Sequence, residues 1–111
     1  MTWPRHTLRD VLYRIRRYAT VPETVEAFHE FFNRFLLPVQ RRHGARLVGR
    51  WATDDGEVVA IWEYDDRAAY ERVQNSVASD PDTARAREVR ATLGPLFTSV
   101  HESFGHSTVW G

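Results

Sequence analysis

The stretch LYRIRRYATVPE, residues Leu12 to Glu23, begins with the two-residue alternation of a strand and ends with the signals of a helix start. Alternation over Val11 to Tyr18 puts Val11, Tyr13 and Ile15 on one face. Leu12, Arg14, Arg16 and Tyr18 fall on the other. Thr20, with Glu23 three residues on, fits a capping box, and Pro22 suits an early helical position. A strand carrying Arg14, Arg16 and Arg17 can lie on solvent, grip nucleic acid, or line an enclosed polar interior.

The helix after this strand is expected to run toward His43, with Val25, Phe28, Phe32, Phe35, Leu36 and Val39 at helical spacing. Pro38 should kink or break it near Leu37, because the ring removes a backbone donor and crowds the preceding turn. His43-Gly44 is a helix stop, and Arg46 to Thr53 reads as a second strand. Asp54 to Glu57, DDGE, is a hairpin turn that returns as the strand Val58 to Tyr64. Asp65 or Asp66 caps a helix over Arg67 to Val77. Ser79-Asp80-Pro81 opens another that runs to Leu93 before Gly94-Pro95, and Thr98 to Phe104 is the last strand.

This order predicts an α+β, ferredoxin-like (split βαβ) fold: a four-stranded antiparallel sheet with helices on one face. Residues 1–10 are expected as a leader, 11–104 as the domain and 105–111 as a tail whose Val109-Trp110 pair docks on a neighbour. Pairing Thr53 with Val58 sets the register of the first hairpin. It gathers Leu12, Arg14, Arg16, Tyr18, Leu47, Trp51, Val58, Ala60, Trp62 and Tyr64 on one face, expected to be uncovered. Tyr13, Ile15, Val48, Val59 and Ile61 are assigned to the helices.

Composition narrows the partners. With 111 residues and 42% hydrophobic content, the chain suits one compact domain. Basic and acidic residues balance at fifteen each, and all fifteen basic residues are arginine, so no net field draws the molecule to nucleic acid or an anionic membrane. The absence of cysteine excludes disulfides, thiol nucleophiles and Cys-ligated metals. MTWPRHTLRD has no signal-peptide core, and no segment reaches the ~20 apolar residues of a membrane span. A soluble cytoplasmic protein is expected.

An open sheet face rich in aromatics and arginines needs a cover. RNA stacking would require a third strand with a basic residue and glycine beside aromatics. Here the strand is GEVVAIWEY, with Glu57 in the basic position. The alternative is a second copy closing face to face, with the arginines paired to Glu102, Glu63 or an anionic ligand.

Several ordered pieces bear on that choice: YRIRRYATVPE, LLPVQRRHGARLVGRW, VAIWEYDDRAAYERV, ASDPDTARAREVRATLGPLF and HESF. Together they resemble the NIPSNAP family, a branch of the dimeric α+β barrel superfamily, from Leu12 to Phe104. The resemblance implies a homodimer whose sheets enclose a barrel-like interior. Arg16, Tyr18, His43, Gly44, Leu47, Gly49, Trp62, Tyr64 and Glu102 stand where that family commonly has the same types. Ala60 stands where family members often carry a histidine, so a reaction built on that histidine is not expected.

Three readings follow. In the first, the homodimer binds a small aromatic or anionic molecule in a cavity between sheet and helices, through Arg14, Arg16, Tyr18, Trp51, Trp62 and Tyr64. Trp51 and Trp62 read first as dimer-core packing and second as a stacking wall for a flat ligand. In the second, by analogy of fold, it is a cofactor-independent enzyme of the monooxygenase or isomerase type, with His101 or Glu102 as base. These two alternate on the last strand, so only one can face a cavity. In the third, it is a structural dimer without ligand. His29 reads as a solvated surface residue and His43 as a helix-end cation. His6 and His106 fall in the end segments. No metal site, nucleophile elbow or nucleotide loop is present in the sequence, so no cofactor is expected.

Overall fold

The computed structural model describes residues 10–109. Its elements are β1 (Leu12–Thr20), α1 (Val25–Phe31), a π-helical turn (Phe32–Leu36), α2 (Leu37–Arg42), β2 (Arg46–Ala52), β3 (Glu57–Tyr64), α3 (Arg67–Ser79), α4 (Pro81–Thr92) and β4 (Phe97–Gly105). All strand pairs are antiparallel, in the order β2-β3-β1-β4. This is the split βαβ arrangement that the sequence predicts. No helix among the described residues is long and apolar enough to cross a membrane.

Local signals account for most boundaries. Asp66 accepts a hydrogen bond from the Ala69 amide at 2.7 Å at the start of α3, and Asp80 accepts one from the Asp82 amide at 2.8 Å at the start of α4. Gly44, at φ 106°, ends α2 in a conformation that other residues rarely adopt. The Thr20 capping box does not form. Thr20 is the last residue of β1, its hydroxyl donates to Gly56 O, and α1 starts after Thr24 instead. Pro38 acts earlier than a simple break would. The helix widens into the π turn just ahead of it, which separates the ring from the carbonyls it would crowd.

Two expectations about the sheet are corrected. The face under the helices is the one with Leu12, Val58, Ala60, Trp62 and Tyr64, all 4% exposed or less. Tyr13, Ile15, Val59 and Ile61 lie on the open face, where they are only half-buried. The arginines sit with the helices because each guanidinium lies over a ring: Arg14 over Tyr70, Arg16 over Tyr18, and Arg50 over Phe28 and Phe32. Stems buried along apolar surface and heads stacked on aromatics make arginine compatible with a helix-covered face.

The second correction concerns the hairpin. Ala52, not Thr53, pairs with Val58, and the register shifts between Leu47 and Gly49. Trp51 therefore sits opposite Val59 on the open face, half exposed, away from Trp62. Its ring lies over Gly49, where a Cβ would come within 2.4 Å of it. Val48, expected under the helices, is likewise half exposed.

The core has two parts. Leu12, Phe32, Leu37, Ala45, Trp62, Tyr64 and Val73 form one, and Phe28, Phe31, Val58, Ala86 and Leu96 the other. Of the tail pair, Val109 is exposed and Trp110 lies outside the described residues. The expected leader, His6 included, also lies outside them, apart from Asp10.

Candidate functional site

Between the second core cluster and the helices lies a cavity of about 320 Å³. Its strand end is formed by Arg16 and Tyr18 of β1. Its floor and walls are Phe28, Phe31, Phe35 and Leu36 from the first helix and its π turn, with Ala86, Leu96 and Phe97 opposite. Thr83, Arg87 and Arg90 of α4 close the helix end, beside Gln40 and Val77. No aspartate or glutamate lines it.

The aromatic walls are fixed by edge contacts. Tyr18 meets Phe28 at 5.1 Å and Phe97 at 5.0 Å between ring centroids, and Phe28 meets Phe97 at 5.5 Å. Phe31 and Phe35 stack at 5.7 Å, while Phe32 turns the other way onto Trp62 at 5.9 Å. The extra residue of the π turn divides neighbouring phenylalanines between cavity and core.

Arg16 is the polar centre of the strand end. Its Nε donates to the Tyr18 hydroxyl at 2.7 Å and its Nη1 to Glu102 at 2.6 Å. Arg14 donates to the same Glu102 oxygen. Burial would lower the Arg16 pKa, but Tyr18 and Glu102 outweigh it and raise it. Burial likewise pushes the Glu102 carboxyl up, and the hydrogen bonds and charges of the two arginines overcome it, holding the group below its ordinary value. A carboxylate held ionised by two guanidiniums is a weak base.

A pH dependence follows. A depressed folded-state pKa gives stability that is complete above the unfolded value of about 4.5 and is lost as pH falls through the folded value. Urea midpoints of the wild type should therefore fall below pH 4.5 more steeply than those of Glu102→Gln. Parallel profiles would remove Glu102 from the acid response. The group is largely solvated, so the difference is modest.

The structure brings only some expected site residues together. Arg16 and Tyr18 line the cavity. Arg14 stands behind them, over Tyr70. Trp62 is sealed in the core against Phe32. Tyr64 is sealed beside Tyr70, with its hydroxyl 3.4 Å from Gln74, and burial raises its pKa against the opposing pull of Arg14. Trp51 is on the open face. Of the two candidate bases, Glu102 is on the helix side with the arginines, whereas His101, paired with Arg17, is on the open face. His43 reaches Asp80 at 2.7 Å beside Arg42, a bracket between α2 and α4.

Sequence reasoning missed the roles of His29, Arg50, Arg87 and Arg90. His29 is half-buried rather than a free surface residue: Arg50 Nη1 donates to its Nδ1 at 2.9 Å. Burial lowers the pKa of Arg50, and its Nε and Nη2 lack hydrogen-bond partners among the described residues. Arg87 and Arg90 were hidden in a helix that looks polar all round. The signal is that α4 has little apolar surface, with Ala86 its only buried residue, so arginine stems must complete its inner face.

The family model for NIPSNAP matches residues 13–99. Among solved structures, the chain is similar to a NIPSNAP domain protein of Burkholderia xenovorans, with TM-score 0.76, 22% identity, and coverage of 90% of this chain and 97% of that one. A NIPSNAP family protein of unknown function from Agrobacterium tumefaciens gives TM-score 0.75 at 18% identity, covering 92% of each chain. A putative antibiotic biosynthesis monooxygenase from Bacteroides thetaiotaomicron gives 0.66 at 16% identity, covering 95% and 96%. At these identities the structural likeness shows the fold alone. Among curated proteins, none matches the sequence.

Proposed function

The chain belongs to the NIPSNAP family, and from that membership we propose that it is a small-molecule-binding homodimer of the cytoplasm, with an anionic or aromatic ligand between sheet and helices. The observation that carries this reading is the cavity, walled by phenylalanines and furnished with arginines but no carboxylate. Its volume stands at the lower end of the ~300–1,000 Å³ typical of ligand sites, which suits one ring system or a short alkyl chain with a polar head. Arg16 and Tyr18 touch the ligand in this reading. Arg14, Trp62 and Tyr64 hold the frame behind them, and Trp51 belongs to the face that a second copy covers.

Native mass spectrometry of protein purified without added ligand tests the reading, followed by titration with small aromatic and aliphatic acids. Arg16→Ala should weaken the binding of such acids about threefold to tenfold, the worth of one modest hydrogen bond, because it frees Tyr18. A protein that retains nothing and binds none of the acids is not a binder of this kind.

A further inference from the structure

We propose that the ligand of this cavity is a monocarboxylate, and that its carboxylate is anchored at the helix end by Arg90 rather than at the strand end by Arg16. The inference rests on the reading of the cavity as a ligand site and adds the chemical class and the anchoring residue. The two ends differ in how their guanidiniums are occupied. Arg16 is satisfied from within, by Tyr18 at 2.7 Å and Glu102 at 2.6 Å. A second anion there would meet the charge of Glu102.

Arg90 is in the opposite condition. Its Nη1 is buried and has no hydrogen-bond partner among the described residues. Its guanidinium lies over the Phe97 ring, 5.0 Å from its centre, at the cavity wall. A buried cationic donor without an acceptor is costly, and a carboxylate is the acceptor whose two oxygens match the guanidinium fork. The surroundings set the rest of the molecule. Phe28, Phe31, Phe35 and Phe97 accept a ring or alkyl body, and exposed Arg87, which also lines the cavity, adds positive charge that draws an anion in. Arg90 is the one lining arginine with a guanidinium nitrogen buried without an acceptor among the described residues, and a single negative charge matches it.

Two matched probe pairs test this by calorimetry: 2-naphthoate against 2-naphthalenemethanol, and octanoate against octanol. The wild type should bind each carboxylate at least about tenfold more tightly than its alcohol, as expected for a charge-assisted pair. Arg90→Met should remove that preference, the carboxylate losing at least about tenfold more affinity than the alcohol. Arg16→Met should weaken both members alike and keep the ratio. Should Arg90→Met fail to fold, Arg90→Lys, which keeps the charge but loses the fork, is expected to lose part of the preference. An unchanged preference in the Arg90 variant, or a preference abolished by Arg16→Met, overturns the assignment. Equal wild-type affinity for acid and alcohol overturns the carboxylate while the ligand site stands. No binding of any probe removes the site itself.

Discussion

Trp62→Ala lowers the unfolding free energy by about 3–5 kcal/mol, the range for truncating a large aromatic in a packed core. Trp62 is 4% exposed and lies in one cluster with Leu12, Phe32, Tyr64 and Val73. Its ring meets Phe32 at the π turn, so the truncation opens a void between sheet and first helix, where the backbone on both sides is fixed by hydrogen bonding. A domain of this size has a total stability of about 5–15 kcal/mol, so the variant should lose a large part of it and drop in Tm by more than about 10 °C. Urea unfolding followed by far-UV circular dichroism measures the change. A loss under about 1 kcal/mol, together with lost ligand binding, would move Trp62 from the core to the cavity wall.

The strands and helices were legible because their signals are local: alternation in β1 and β3, aspartate caps at α3 and α4, and glycines at Gly44 and Gly56. What covers which face of the sheet was not. In β3, Val59 and Ile61 are as apolar as Val58 and Trp62, so alternation names two faces without saying which one the helices take. The charge of arginine on β1 argues for the open face. Yet Arg14, Arg16 and Arg50 lie over rings on the helix side, and Glu102 accepts from Arg14 and Arg16 there.

Trp51 was misplaced for a different reason. The shift between Leu47 and Gly49, with a hairpin register that pairs Ala52 rather than Thr53 with Val58, decides its face, and neither feature has a residue signature in RLVGRWA. The cavity was legible at its strand end, through Arg16 and Tyr18. Its helix end depended on the packing of α4 against a distant strand, which spacing alone does not encode.

The corrected faces also define where the second copy of the proposed homodimer would sit, and Ile61→Glu should leave a folded monomer. Ile61 pairs with Ile15 at the middle of the open face, flanked by Val59 and Tyr13, with Trp51 and Val48 half exposed on the neighbouring strand. A sheet whose side away from the helices carries Tyr13, Ile15, Val59 and Ile61 at its centre, with Arg17, Glu63 and His101 around them, is a surface that face-to-face packing buries. Four strands at ~4.8 Å and about eight residues at ~3.3 Å give a flat footprint on the order of 500 Å² per protomer. Counted on both partners, this meets the roughly 1,000 Å² that a specific interface needs. A two-fold axis places the substituted position in the interface twice, so the variant buries two like-charged carboxylates there. The penalty is about 3 kcal/mol or more, a Kd raised at least about a hundredfold. Light scattering after gel filtration at micromolar concentration should show twice the chain mass for the wild type and one chain mass for Ile61→Glu, with unchanged far-UV circular dichroism. A wild type of one chain mass, or a variant that stays dimeric, would separate the open face from assembly and leave its apolar residues to some other partner.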